Sequence, residues 1–307
     1  MTEPVGNRIA GISFQQVQTF CCVYRHGGYA GAERHLGLTG PTMWEQIKSL
    51  ERTYNASLFQ RVGRNIEPTE AGRALYRLLE PLLAGFESTF ELMAEESAKT
   101  PKQVTLVTGV RMMMEELGAP LTEFRKQFPT TRLRLITADN ITAQQRVLEG
   151  EADLALLIEP PPELLRQGIS TEQLYGIEYL AILPPRHRLR RNESLSLADL
   201  LSEPLIVGNR NTVGRQLLEQ AVFRLGENSK LNVAAETDNS AATIACVRAG
   251  MGIGVIAGQP DGQLTRHVAA RSLAEDIGRV RVVAAYKKGR QLTGAVKTLI
   301  ALLKVCL

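Results

Sequence analysis

Aromatic residues and metal-binding cysteine motifs are scarce in this sequence. Only 5% of its 307 residues are aromatic, and Trp44 is the single tryptophan. The four cysteines, Cys21, Cys22, Cys246 and Cys306, form no CxxC pair, and none stands at metal-ligand spacing from a histidine. We therefore expect no metal site and no disulfide framework, and we expect the adjacent Cys21 and Cys22 to serve in packing.

Long apolar runs and an excess of charge are also missing. No stretch approaches the roughly 18 consecutive apolar residues of a membrane span, and the N-terminus shows no basic segment followed by an apolar one. These absences predict a cytoplasmic protein with no membrane partner. The sequence has 36 Lys and Arg against 32 Asp and Glu, a formal net charge of +4, so charge alone does not identify a nucleic-acid-binding protein.

Catalytic signatures are absent as well. The sequence has no GxSxG motif, and its histidines, His26, His35, His187 and His267, stand in no recognised constellation. The glycine-rich run at 250–254 follows a predicted helix and leads into a strand, which is the reverse of the order in a dinucleotide-binding loop. We therefore predict that the protein is not an enzyme and carries no cofactor.

The first seventy residues have the spacing of a helix-turn-helix. Ser13 and Gln16 predict a capping box at the start of a first helix, and a second helix is expected at about 30–36. Thr39-Gly40-Pro41 then offers an N-cap and an early proline for a third helix. The predicted inward stripe of this third helix is Met43, Ile47, Leu50 and Tyr54. Two short helices joined by a tight turn are typical of DNA-binding domains in which the later helix enters the major groove.

A small hairpin is predicted after the third helix, because apolar residues alternate around a glycine between positions 58 and 66. Its two arginines are either phosphate contacts or solvated loop charges. The predicted DNA-contacting residues of the third helix and of this wing are Thr39, Gly40, Pro41, Thr42, Trp44, Glu45, Lys48, Arg52, Arg61 and Arg64.

A long helix is predicted from its cap, Thr69, to about Ala98. Its apolar residues, spaced by threes and fours, are Leu75, Leu79, Leu82, Phe86, Phe90 and Met93. Such a stripe packs either on its own chain or on a partner helix. Pro81 lies inside the helix and predicts a kink, and residues 99–102 are expected to form a hinge.

Strands alternate with helices from residue 103 onward. Strands are predicted at 104–108, 133–136, 154–158, 180–183, 205–207, 233–235 and 252–256, and helices at 115–128, 142–149, 213–225 and 240–249. This alternation predicts parallel sheet with covering helices, arranged as two lobes of similar build.

A ligand site is predicted where these strands end, because the carboxyl ends of parallel strands and the helix starts that follow them gather ligands. The predicted effector-binding residues are Thr108, Gly109, Val110, Arg111, Asn140, Thr142, Asn209, Asn211 and Thr212. They are largely polar and include one cation, which favours a small carboxylate or another anion. The alternative for Arg111 is a place on the solvated surface.

From Phe14 to Arg73 the sequence resembles the DNA-binding domain of LysR-type regulators. The resemblance is carried by residues 27–36, 39–41, 46–47, 50–51, 58–61, 63–64 and 68–72, and it continues more loosely at 124–129, 148–155 and 247–254. The recognition helix departs from the family pattern Ser-Gln-Pro-Ala-Leu-Ser-Arg-Gln, because residues 39–46 are Thr-Gly-Pro-Thr-Met-Trp-Glu-Gln. Side chains commonly used for reading bases are thus replaced, so an altered operator is expected. On such an operator, Trp44 can pack on thymine methyl groups, and Glu45 can accept a hydrogen bond from a cytosine amino group.

The resemblance implies an α/β fold class with an N-terminal α winged helix-turn-helix, a long linker helix and a two-lobed effector domain like periplasmic binding proteins. The implied domains are the winged helix-turn-helix at 1–68, the dimerising linker helix at 69–98, effector lobe 1 at 101–162 plus 265–307, and lobe 2 at 163–264. The implied partners are double-stranded DNA with a pseudo-palindromic operator, a small-molecule effector and a second copy in a homodimer that forms a homotetramer, with RNA polymerase as a further candidate. A two-lobed binding protein or enzyme with a degenerate DNA-binding head stays open as the alternative.

Overall fold

The computed structural model of the protein describes residues 11–63, 65–98, 102–210, 212–226 and 230–305. The chain forms two compact units, Met1–Met93 with Lys288–Gln291, and Ala94–Lys287 with Leu292–Leu307. Within the described ranges, no helix combines the length and apolar character needed to cross a membrane. The same ranges contain no group of His, Cys, Asp and Glu side chains that could hold a metal ion.

The described part of the first unit starts with three helices, α1 (Phe14–Arg25), α2 (Tyr29–Leu36) and α3 (Gly40–Tyr54). The predicted capping box of α1 is confirmed, since Ser13 Oγ accepts from the Gln16 amide at 3.2 Å and Gln16 Oε1 accepts from the Ser13 amide at 2.8 Å. The predicted inward residues Met43, Ile47 and Leu50 of α3 are buried. The prediction for Tyr54 was wrong, because this final residue of α3 is 41% exposed.

The predicted hairpin is confirmed as β1 (Phe59–Val62) paired antiparallel with β2 (Asn65–Pro68). Gly63, whose φ is +61°, allows the tight turn between them. The hairpin is tied to α3 by the buried side chain of Glu51, whose Oε1 accepts from the Leu58 amide at 2.7 Å and from the Phe59 amide at 3.3 Å.

The long helix α4 (Glu70–Ala98) begins at the predicted cap, where Thr69 Oγ1 accepts from the Gly72 amide at 3.0 Å. Its apolar residues split between two faces. Leu75, Leu79 and Leu83 pack against the short helices of the same unit. The exposed face consists of Leu78, Leu82, Phe86, Phe90 and Met93, which are 50% to 71% exposed. The predicted single stripe was therefore wrong for its first two members, which belong to the core of their own unit.

Residues Lys288–Gln291 also belong to the first unit and lie against α4. Gly289, with φ +85°, comes so close that a Cβ atom there would lie 2.1 Å from the Pro81 carbonyl oxygen. The Gln291 amide donates to Ser88 Oγ at 3.2 Å. The helix is continuous through Pro81, and the predicted kink at this proline stays a prediction.

Over its described residues, the second unit is a sheet of nine strands covered by helices. The strands are β3 (Gln103–Thr108), β4 (Arg132–Thr137), β5 (Leu154–Ile158), β6 (Ile169–Leu183), β7 (Leu205–Gly208), β8 (Val233–Thr237), β9 (Ile253–Gly258), β10 (Ala269–Ser272) and β11 (Arg279–Lys287). The helices are α5 (Val110–Glu115), α6 (Gly118–Gln127), α7 (Asn140–Leu148), α8 (Leu197–Leu200), α9 (Val213–Arg224), α10 (Ser240–Arg248), α11 (Ala274–Ile277) and α12 (Gly294–Val305).

Two parallel sets of strands are joined through the middle of this sheet, whose order is β4-β3-β5-β11-β6-β9-β7-β8. Strands β3, β4 and β5 form one parallel set, and β7, β8 and β9 form the other. Between them β6 and β11 run antiparallel and pair over residues 169–178 of β6, while residues 178–182 of β6 pair with β9. The prediction of alternating parallel sheet is confirmed, although most of β6 was not predicted.

Two boundaries differ from the sequence-based expectation. The helix expected at 115–128 is α6, which begins later, at Gly118, and a separate short helix that was not predicted, α5 (Val110–Glu115), precedes it. Strand β10 pairs with the Leu180–Leu183 end of β6, a part of β6 that was assigned to lobe 2. This pairing favours a chain that returns from lobe 2 to lobe 1 at Arg279, the start of β11, rather than at residue 265. The bounds of the two lobes stay a prediction.

Candidate DNA-binding surface and effector cavity

The outward face of α3 and the turn before it hold the predicted DNA contacts. Thr39, Pro41, Thr42, Trp44, Glu45 and Arg52 are exposed, and Gly40 and Lys48 are partly exposed. Thr39 does not cap the helix with its side chain; its hydroxyl lies 2.9 Å from the Thr42 hydroxyl instead. The face is thus available to a duplex and presents hydroxyl, indole, carboxylate and cationic groups.

Trp44 is 51% exposed, so it does not pack into the core of its unit. The Lys48 ammonium lies 5.9 Å from the centre of the Trp44 ring, within the range of a cation–π interaction. The same Nζ lies 2.6 Å from Glu51 Oε2. Lys48 therefore links the indole to the carboxylate that holds the hairpin.

The hairpin contributes one described cation to the predicted contacts. Arg61 is exposed, and its Nε donates to the Gly63 carbonyl oxygen at 3.1 Å, a bond that does not use its terminal nitrogens. The prediction for Arg64 lies outside the described residues.

A cavity of about 780 Å³ lies in the second unit at the ends of β3, β5, β7 and β8. Seven predicted effector-binding residues line it: Gly109, Val110, Arg111, Asn140, Thr142, Asn209 and Thr212. Thr108 does not line it, because its hydroxyl turns into the core and donates to the Leu156 carbonyl oxygen at 2.9 Å. Asn211 lies outside the described residues. The expectation that ligands bind at the carboxyl ends of parallel strands therefore identified most of the residues that line this cavity.

The starts of α7, α9 and α10 line this cavity, each with a side-chain cap. Asp139 Oδ1 accepts from the Thr142 amide at 2.9 Å, Thr212 Oγ1 from the Arg215 amide at 3.2 Å, and Asn239 Oδ1 from the Ala242 amide at 3.0 Å. Partial burial raises the pKa of Asp139, but hydrogen bonds from the Thr142 hydroxyl and from backbone amides outweigh it, and the net shift is downward. The positive ends of three helices thus border the same cavity.

Arg111 is neither on the surface nor a free cation. It is only 6% exposed, and its Nη1 forms a buried ion pair with Glu116 Oε1. Arg215, which the sequence did not single out, also lines the cavity, and its Nε lies 2.7 Å from Glu219 Oε1 and its Nη1 3.1 Å from Glu236 Oε1. Among the described lining residues, both arginines therefore already have carboxylate partners.

Several lining residues were missed by the sequence-based reasoning. Tyr179 reaches the cavity from β6, while Asp238, Asn239 and Ser240 follow the end of β8. The same expectation about strand ends, applied to β8, would have found the second group. Nothing in the local sequence marks Tyr179, because its position depends on the long strand that joins the two parallel sets.

Two protein-family models match the chain. Residues 14–73 match the bacterial regulatory helix-turn-helix protein of the lysR family, and residues 109–305 match the LysR substrate binding domain. The chain belongs to the LysR family. It is a LysR-type transcriptional regulator with a helix-turn-helix domain followed by an effector-binding domain, and regulators of this family bind DNA and small-molecule effectors.

Curated relatives of this LysR-family chain are transcriptional regulators. The HTH-type transcriptional activator CmpR of Synechocystis is 26% identical over 247 residues, which are 80% of this chain and 78% of the relative. The HTH-type transcriptional regulator CbbR of Xanthobacter flavus is 26% identical over 88% of this chain and 77% of its own length.

Solved structures show the same fold. A putative LysR family transcriptional regulator from Pseudomonas aeruginosa has a TM-score of 0.57 at 24% identity, with 95% of this chain and 98% of that chain covered. Full-length CbnR complexed with its target DNA has a TM-score of 0.55 at 17% identity, with 96% and 100% covered.

Proposed function

We propose that this LysR-type regulator responds to a small anionic effector that binds in the cavity of the second unit. The observation that carries the proposal is the convergence of the capped starts of α7, α9 and α10 on one cavity of about 780 Å³. Helix N-termini favour negative charge, and the volume is that of a small-molecule site. Effector binding that differs between two arrangements of the lobes shifts their equilibrium and thereby alters DNA binding.

The proposed DNA-contacting residues of this regulator are Thr39, Gly40, Pro41, Thr42, Trp44, Glu45, Lys48, Arg52, Arg61 and Arg64. Trp44 and Glu45 stand on the outward face of α3, where base edges are read, and we assign them to sequence preference. Lys48, Arg52 and Arg61 are assigned to phosphates, which fix the register of the protein on the duplex.

The proposed assembly is a homodimer formed through α4. Its exposed face of Leu78, Leu82, Phe86, Phe90 and Met93 is continuous with Phe14, whose ring centre lies 4.4 Å from that of Phe86. An isologous pairing of this face with that of a second copy removes it from water and gives a two-fold axis, and hence a pseudo-palindromic operator. A homotetramer built from two such dimers and contact with RNA polymerase complete the proposal.

Selection of genomic fragments by the purified full-length protein at two salt concentrations tests the DNA-binding part. Non-specific phosphate binding falls steeply with salt, so sequence-specific fragments persist at the higher concentration. We expect an interrupted palindrome. Recovery of nothing above background would contradict unaided sequence-specific binding.

The effector part is tested with that operator and with the small molecules of the source cells, separated by anion exchange into acidic and neutral fractions. We expect the acidic fraction to change operator affinity for the wild type. Ser240→Trp places a bulky side chain at the wall of the cavity and should abolish the response, whereas Gln220→Trp, at an exposed position of α9 that does not line it, should preserve it. A response only to the neutral fraction would contradict an anionic effector.

A further inference from the structure

Two buried hydrogen-bond donors at the wall of the cavity have no acceptor. Tyr179 is 2% exposed and Arg111 is 6% exposed, and both line the cavity. Among the residues that the structure describes, neither Tyr179 Oη nor Arg111 Nη2 has a hydrogen-bond partner. Burying unpaired polar atoms is unfavourable, and such atoms at a ligand cavity indicate a missing partner.

Glycine keeps the Tyr179 hydroxyl at the border of the cavity. A Cβ atom at Gly214, in the first turn of α9, would lie 3.2 Å from Tyr179 Oη, and Gly214 itself lines the cavity. On the other side, a Cβ atom at Gly258 of β9 would lie 4.0 Å from Arg111 Cδ. The missing side chain at Gly214 thus leaves room for the Tyr179 hydroxyl, whereas a Cβ atom at position 258 would make only an ordinary contact with Arg111.

Both groups act as donors towards a ligand. Burial raises the pKa of the Tyr179 phenol and outweighs the opposite effect of the Arg111 charge, so the hydroxyl keeps its proton. The guanidinium is always charged, and its ion pair with Glu116 uses Nη1 but not Nη2. The chemical complement of two such donors is an oxygen with free lone pairs, and a carboxylate accepts such bonds most strongly.

We infer that Arg111 Nη2 and Tyr179 Oη form a subsite that receives a carboxylate of the effector. The inference rests on the proposed function, since it takes this cavity as the effector site. The subsite joins α5, which carries Arg111, to β6, which carries Tyr179 and links the two parallel sets of strands. A ligand bound there touches the segment through which one lobe connects to the other.

Tyr179→Phe tests the subsite, and Tyr175→Phe is its matched control. Tyr175 also lies on β6 and is buried to 9% exposure, but its hydroxyl interacts with Glu116 and does not line the cavity. Tyr179→Phe removes a hydroxyl that makes no hydrogen bond and should fold with an unchanged or higher melting temperature, and Tyr175→Phe should fold with at most a small decrease.

The probe is acetate, titrated to about 100 mM into the full-length protein against sodium chloride at equal ionic strength, with acetamide as the neutral probe. A ligand of so few atoms is expected to bind with a dissociation constant of roughly 50 mM, and about 100 mM of it then raises the melting temperature by about 2 °C. We expect this rise in the wild type and in Tyr175→Phe, and an affinity lower by at least about tenfold in Tyr179→Phe.

Equal acetate responses in all three proteins, or no response in the wild type, would overturn the subsite. A response to acetamide but not to acetate would overturn the carboxylate assignment. These results are separable from a failure of the proposed function, because the acidic cell fraction can still change operator binding, and Ser240→Trp can still block it, when acetate has no effect.

Discussion

Glu51 is the residue on which the position of the wing depends most directly, and its replacement by alanine gives a measurable prediction. Its side chain is 8% exposed and accepts from two backbone amides at the start of β1, at 2.7 and 3.3 Å from Oε1. Hydrogen bonds to a charged acceptor contribute about 1.5–3 kcal/mol, and an amide left unpaired and buried costs about 1–3 kcal/mol. Since the second bond is long, we expect Glu51→Ala to lower the free energy of unfolding of the first unit by about 2–4 kcal/mol.

The assay uses the single tryptophan of the chain, Trp44, which lies on α3 in the first unit. Its fluorescence during urea denaturation reports the unfolding of that unit within the full-length protein. Glu51→Gln keeps an acceptor oxygen for the amides and is expected to lose less than half as much. Glu45→Gln, on the exposed face of the same helix, is the surface control. A change below about 0.5 kcal/mol in Glu51→Ala, as for an ordinary surface substitution, would refute the reasoning.

Three further predictions concern recognition, assembly and pH. Trp44→Ala should relax sequence preference on the selected operator without changing the oligomeric state, as measured by competition binding and sedimentation; unchanged preference contradicts it. Phe90 is 71% exposed on α4, and Phe90→Glu places a charge in the proposed dimer interface. Sedimentation at micromolar concentration should therefore show a monomer. Val305→Glu changes a residue that is 84% exposed near the end of α12 and should leave the dimer intact. Asp139→Asn should remove part of the pH dependence of the free energy of unfolding. The pKa of Asp139 in the folded state is lowered from 3.8, so the ionised carboxylate stabilises the fold above pH 3.8. This contribution is lost as the pH falls through the lowered pKa. The effect at pH 7 is expected to stay below about 1 kcal/mol since the carboxylate is exposed. The free energy of unfolding is measured at pH 3 and pH 7 for both proteins, and an equal change between the two pH values in the wild type and in Asp139→Asn would contradict the prediction.

Local signals carried most of the sequence-based prediction. The capping box at Ser13, the cap at Thr69 and the turn at Gly63 act within a few residues, so the sequence next to them suffices. The strand ends that follow short apolar runs predicted seven lining residues of the cavity for the same reason.

What could not be predicted depends on partners distant in the sequence. Residues 169–179 form most of β6 although they include Ser170, Glu172 and Gln173, because pairing with β11, more than a hundred positions away, defines the strand. Arg111 was misplaced for a local reason: it lies on α5, a short helix that was not predicted, and it pairs with Glu116 directly after that helix. Leu75 and Leu79 fit a stripe by spacing alone, and only the packing of α1 against them assigns them to the core.

The segment Lys288–Gln291 makes the two units inseparable by a single cut. Since it belongs with α4 while β11 before it and α12 after it belong to the second unit, the chain passes between the units three times. An effector domain released by cleavage ahead of β3 would take with it a glycine whose backbone is shaped to fit Pro81 of the removed helix. Separating the two units therefore requires the chain to be divided at three positions, after Met93, Lys287 and Gln291, rather than at one.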